Sequence, residues 1–300
     1  MPARPTPLRA SLTIVAALVS VVTLESPAGA GPTCAALPTD KSGDAGNNEI
    51  VGTPGDDVLA GGGGHDVIRG LGGDDVICGG PGDDAIVGAD GADVLLGESG
   101  TDELRGGPGG DGLEGGYGPD VLAGGDSSDS MLGGRASDVL AGGDGPDYMY
   151  GGDDDDTIDG GSQPDELYGE RGADKMLGGF GGDLLEGMLG PDTLYGNSGV
   201  DEIQGSEGDD SLVGGPDADR LRGGDETDAL RGGKGADVLF GDAGLDELGG
   251  DAGRDTHLGG HGNDTIDAVD DAPDDIVRGG VGSADSCTFD PGDDVAGCEL

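Results

Sequence analysis

From Gly52 to Asp267 the chain repeats one pattern of polar and apolar positions every nine residues, 24 times without a gap. Position 8 is Leu, Ile or Met in 23 of the nonads, the exception being His257. Positions 7 and 9 are mixed, with Val frequent at 7 (Val58, Val67, Val76, Val94). Positions 7–9 therefore read as a short strand that points outward, inward and outward, with position 8 on a core. Glycine holds position 1 in all 24 nonads, position 4 in 18 and position 2 in 14. Glycines there permit φ > 0 and let backbone carbonyls converge. Every proline of the repeats falls at position 3 or 5, which places both in the turn, away from the strand ladder.

One strand cannot bury its own side chain. Two nonads, one strand on each side, make an 18-residue coil whose position-8 residues meet in the middle. The fold expected is all-β, a right-handed parallel β-roll (solenoid) of about twelve coils with short terminal caps. The organisation that follows is a leader over residues 1–30, an N-terminal cap over 31–51, the roll over 52–267, and degenerate repeats with a disulfide-closed cap over 268–300. The core of such a roll is a thin seam, so little apolar surface is buried per residue.

Charge changes this picture. The chain carries 63 Asp and Glu against 14 Lys and Arg, a net charge of −49 among 300 residues. That sign argues against nucleic acid and anionic membrane surfaces and points to cations. Without them, the seam would have to offset both chain entropy and carboxylate repulsion. The N-terminus carries Arg4 and Arg9, the apolar run Ala10–Leu24 and the small residues Ala28-Gly29-Ala30. This reads as a Sec-type signal peptide cleaved after Ala30, giving a secreted, extracellular product with no membrane-inserted segment. Four cysteines suit that compartment. Of the three possible connectivities, the sequence-local pairs Cys34–Cys78 and Cys287–Cys298 are expected, with Cys78 and Cys287 both at outward-facing position 9.

Aspartate at position 6 occurs in all 24 nonads. A carboxylate among converging carbonyls is a set of hard oxygen ligands, suited to multiple Ca²⁺ ions held between stacked turns. The residues expected to bind metal are Asp57, Asp66, Asp75, Asp84, Asp93, Asp102, Asp111, Asp120, Asp147, Asp174, Asp183, Asp192, Asp201, Asp210, Asp237, Asp246, Asp255 and Asp264. Six further nonads lack glycine at position 4 and carry Ser127, Ala136, Asp154, Gln163, Asp217 and Glu226 there. They form three adjacent pairs, each one complete coil. Two readings stay open for them: altered or absent calcium sites, or a variant turn that still binds, since position 6 remains Asp.

The pattern GGxGxDxUx, with U aliphatic, resembles the RTX or haemolysin-type calcium-binding repeat. The resemblance covers Gly52–Asp267, with weaker copies at Asp270–Arg278 and Gly279–Cys287 after a two-residue slip. It implies a parallel β-roll that folds when calcium binds outside the cell. The amphipathic pore-forming segments of the family's toxins and the zinc-binding HExxH of its proteases have no counterpart here, so neither activity is carried over.

The sequence presents no catalytic constellation, and the expectation is a protein that is not an enzyme. His65 and His261 occupy turn positions and His257 replaces a core aliphatic; all three read as tolerated substitutions. Tyr150 and Tyr168, both at position 9 and 18 residues apart, should stack as neighbours on one sheet face. That pair could brace adjacent strands or bind sugar rings. The function expected is extracellular calcium binding by a structural or interaction module, the alternative being a calcium-dependent adhesin or polysaccharide-binding protein.

Overall fold

The structure, a computed structural model, describes residues 39–270, 274–282 and 284–299. The leader expected over residues 1–30, and Cys34 with it, lie outside them. The described residues form strands and turns with no helix. They begin with β1 (Lys41–Ser42), β2 (Glu49–Val51) and β3 (Val58–Ala60). One strand per nonad follows, from β4 (Val67–Gly72) to β26 (Thr265–Ala268). The last three are β27 (Ile276–Val281), β28 (Ser286–Phe289) and β29 (Asp294–Ala296). The architecture is an all-β parallel solenoid of about 14 turns.

The chain divides into two compact units, ending at Val139 and beginning at Leu140. In the first, the odd strands from β1 to β11 (Ser130–Arg135) form one sheet and the even strands from β2 to β10 (Val121–Asp126) form another. In the second, the odd strands from β13 (Tyr148–Asp153) to β29 and the even strands from β14 (Thr157–Ser162) to β28 repeat the arrangement. The strands within each unit pair in parallel, with like positions facing one another: Leu104 opposite Leu122, Met176 opposite Leu194. The N–H of position 7 donates to the position-6 carbonyl one coil earlier, as Val76 does to Asp57 at 2.9 Å. Position 8 is the seam. From Leu59 to Leu248 each of its side chains is at most 2% exposed.

Four details differ from the sequence reading. Most strands run for six residues, from position 7 through position 3 of the next nonad, so Pro81 and Pro108 end strands instead of standing in turns. Position 3 offers the stack its carbonyl: Gly64 N–H donates to Pro81 O at 2.9 Å and Gly91 N–H to Pro108 O at 3.1 Å.

Second, the position-1 glycines are absent from the left-handed residues, whereas positions 2 and 4 are in that region except at Thr53, Gly55, Asp217 and Gly244. Position 1 needs glycine for space. A Cβ on Gly97 would stand 2.5 Å from Asp102 Oδ2 and 2.6 Å from Gly115 O.

Third, Cys78 does not face outward into solvent; it is 2% exposed and packs with Leu96, Ala60, Val76 and Val94. Fourth, Cys287 lies opposite Ile266, in the seam column, because one more residue of slip accumulates before β28.

The stacking also reaches beyond the counted nonads. Ile50 pairs with Ile68 and is 7% exposed, and Val277 pairs with His257 and is fully buried. Cys287 is joined to Cys298, with Cα atoms 5.7 Å apart. No described cysteine is free. The other expected pair includes Cys34 and so falls outside the described residues.

Candidate metal centre

Burial alternates along each nonad, and position 6 falls on the same inward phase as position 8. The position-6 aspartates from Asp66 to Asp264 are at most 3% exposed, and Asp57 is 6% exposed. Their carboxylates are arranged as a ladder. Within each unit, Oδ1 accepts the backbone N–H of the position-6 aspartate one coil earlier: Asp84 N–H to Asp102 at 2.8 Å, Asp192 N–H to Asp210 at 2.8 Å, Asp237 N–H to Asp255 at 2.8 Å; Asp66, in the first coils, accepts from Asn48 N–H instead. The strands place one oxygen of each carboxylate against its neighbouring coil.

The other oxygen has no such partner. From Asp66 to Asp264, Oδ2 of every position-6 aspartate is buried without a hydrogen bond. Asp57 is the exception, since its Oδ2 accepts from the Thr53 hydroxyl at 2.9 Å. A buried carboxylate oxygen with no donor is costly. The cost registers in the titration of the groups. Asp93 and Asp111 are raised to about 6 and Asp102, Asp192 and Asp246 to about 7. Loss of hydration is the main cause, partly opposed by the backbone hydrogen bond on Oδ1. For Asp93, Asp102, Asp192 and Asp246, neighbouring carboxylates add to the rise.

All eighteen aspartates expected from sequence lie in this buried column. The six omitted ones do too. Asp129, Asp138, Asp156, Asp165, Asp219 and Asp228 are at most 2% exposed, each with an unpartnered Oδ2. Five of the six turns hold the same course without the glycine: Ser127, Ala136, Asp154, Gln163 and Glu226 have φ between 78° and 86°, whereas Asp217 is not left-handed. A non-glycine residue pays about 1–2 kcal/mol for that region. The position-4 carbonyls of Asp154 and Asp217 still point at Gly172 and Gly235 of the next coil, as glycine carbonyls do elsewhere. The ladder also extends past the last regular nonad. Asp255 N–H donates to Asp275 at 2.8 Å and Asp264 N–H to Asp285 at 3.1 Å.

A second ladder was not anticipated from the sequence. At position 5 a polar side chain accepts the N–H of the following coil: Asp74 N–H to Asp56 at 3.0 Å, Asp83 N–H to His65 Nδ1 at 2.9 Å, Thr101 N–H to Asp83 at 3.0 Å. It runs opposite in direction to the position-6 ladder. His65 thereby acquires a role in stacking. Tyr150 and Tyr168 are stacked, with centroids 4.8 Å apart and planes 10° apart. Their faces are turned on each other, an arrangement that braces adjacent strands.

The donor set fits calcium: buried carboxylate oxygens without partners, repeated coil after coil, beside carbonyls packed against position-1 glycines. Hard oxygens and no soft ligand are what Ca²⁺ takes. The molecule is thus a calcium-binding solenoid by class. The RTX calcium-binding nonapeptide repeat family matches residues 42–77 and, in overlapping copies, 79–256. That is more than half of the chain, and the chain belongs to this family. A search of curated proteins finds no match.

Proposed function

We propose that this protein is a secreted structural or interaction module that calcium assembles outside the cell, and not an enzyme. The observation that carries the reading is the unpartnered Oδ2 of each buried position-6 aspartate from Asp66 to Asp264. These residues, with the turn carbonyls beside them, would hold the ions, including those of the six nonads that lack a position-4 glycine. Bound calcium supplies the positive charge that lets buried carboxylates stay ionised. The aspartates then act as both fastener and ligand, Oδ1 joining one coil to the next and Oδ2 facing the cation. Binding confined to the folded state stabilises it by mass action. Extracellular calcium modules bind at about 10⁻⁴–10⁻³ M, so assembly would follow export. No described helix is long and apolar enough to cross a membrane, and RTX repeat proteins are generally secreted.

Isothermal calorimetry of the chain lacking residues 1–30 tests this. The expected result is many calcium ions per chain, with binding and β-structure appearing together. Binding of one or two ions, or of none, would refute the assignment.

A further inference from the structure

One sheet is covered on its outer face where its own strands leave it open. Cys78 and Leu96 occupy position 9, the outward phase, in β5 (Val76–Pro81) and β7 (Val94–Ser99). They are nevertheless only 2% and 7% exposed, whereas Val87, Leu132, Leu177 and Leu258 at the same position are only partly buried. Ala60, Val76 and Val94 pack against the pair from the same face. The strands packed on β5 are β3 and β7 beside it and β4 and β6 (Ala85–Asp90) across the seam, and none of these lies over that face. The cover comes from another part of the chain.

Cys78 is also disulfide-bonded. The chain has four cysteines, and Cys287 and Cys298 are joined to each other. The partner left within the chain is Cys34. Its reach is sufficient. Asp40 stands beside Val58, its N–H donating to the Val58 carbonyl at 2.8 Å, and the register continues from Val58 to Val76 and from Ala60 to Cys78. From Asp40 to Cys78 is therefore two strand spacings across and two residues along, about 12 Å. The six residues back from Asp40 to Cys34 extend to roughly 20 Å. They include Ala35, Ala36 and Leu37, an apolar run beside an apolar face. This is also the end of the solenoid with the shortest ladder. β1 has two residues and β2 and β3 have three each, against six in β4 to β7.

We infer that residues 31–38 form a strap that turns back from β1 over the outer face of β3, β5 and β7, bonded through Cys34 to Cys78, with Ala35, Ala36 and Leu37 covering Val76, Val94 and Leu96. The occupant of that face is this segment and not a second copy, because Cys78 and Leu96 are covered within a single chain. The bond skips β3 and ties the chain end to the third strand of the sheet, so the two-residue β1 cannot peel from the edge. A cross-link also constrains the unfolded chain, which keeps the first coils together before calcium arrives.

Non-reducing peptide mapping of the calcium-loaded chain lacking residues 1–30 should join Cys34 to Cys78 within a monomer. The cover is tested separately by the rate at which dithiothreitol reduces that bond, since exchange needs access to a sulfur. Cys287–Cys298 serves as the internal standard. Leu37→Glu should speed reduction of Cys34–Cys78 about tenfold or more, the scale of uncovering one aliphatic side chain, and leave the standard unchanged. Leu37→Ala, which adds no charge and spares the fold if Leu37→Glu does not, should speed it less. Val200→Glu, at a residue 66% exposed, should change neither bond. Cys78 bonded to any other cysteine, or to a second copy of the chain, would overturn the inference. Reduction at the parent rate in both Leu37 variants would overturn it too, leaving a tether without a docked strap.

Discussion

Two columns of side chains run through the solenoid, and both are buried. The position-8 column of Leu, Ile and Met is complete in itself: each residue packs on its neighbours one coil above and below, and His257 apart, no polar group is left over. The position-6 column is equally buried, yet half of each carboxylate from Asp66 to Asp264 has no partner. A seam of aliphatics stabilises by leaving water. A seam of aspartates does so only if something replaces the water it gives up. One column accounts for the fold's register and the other for its dependence on a cation.

Acid should break that contrast most strongly, by making the second column behave like the first. The folded pKa values of about 6 to 7 lie above the ordinary carboxylate value of 3.8. The calcium-free fold therefore binds more protons than the unfolded chain. Its stability is greatest below about pH 4 and is lost as pH rises through 6 to 7. Chelated protein should gain β-structure on acidification from pH 7.5 towards pH 4. Circular dichroism checks this, and a chelated chain that loses structure over that range would count against the ladder.

Crowding at the aspartate column comes next in size. Gly97→Ala would drive a methyl carbon against Asp102 Oδ2 and Gly115 O, whereas an added Cβ at Gly249 meets nothing within 4 Å. Overpacking of this kind costs typically 1–3 kcal/mol, and an open site stays within about 0.5 kcal/mol. Denaturant melts in calcium should separate the two variants accordingly. Similar stabilities would mean that position 1 is glycine for some other reason.

The smallest effect is a difference that should vanish. Asp93 lies in a coil with its position-4 glycine, and Asp219 in a coil with Asp217 there. Yet the two are 1% and 2% exposed, both with Oδ2 unpartnered and both accepting a backbone N–H, at 2.8 and 2.9 Å. Asp93→Ala and Asp219→Ala should shift the calcium midpoint for folding alike. A markedly smaller shift for Asp219 would revive the reading of weak coils.

These features were unequally legible in the sequence. The seam and the aspartate column could be read because each occupies one position with almost no exceptions, and a strict period is what a stacked coil imposes. The position-5 ladder was hidden because Asp, His and other residues share that position, and only the coil-to-coil register reveals that Asp56 and His65 do the same job. The role of position 1 was misread because glycine is the answer both to a left-handed backbone and to a close approach. Cys287 was placed one position out because a further residue of slip is absorbed after the two-residue slip near 268–270, and no local pattern marks it. The burial of Cys78 with Leu96 was missed because position 9 mixes Arg, Glu and Asp with Leu, Ala and Tyr, so no strict pattern marks where that face is covered.

The central claim is that the aspartate column needs a cation. Far-ultraviolet circular dichroism of the chain lacking residues 1–30, at pH 7.5 in chelator and then through a calcium titration, tests it most directly. The account predicts an expanded chain in chelator and a cooperative transition to β-structure as calcium is added, with magnesium a poor substitute because it dehydrates reluctantly. A full β-spectrum in chelator at that pH, unchanged by calcium, would contradict it.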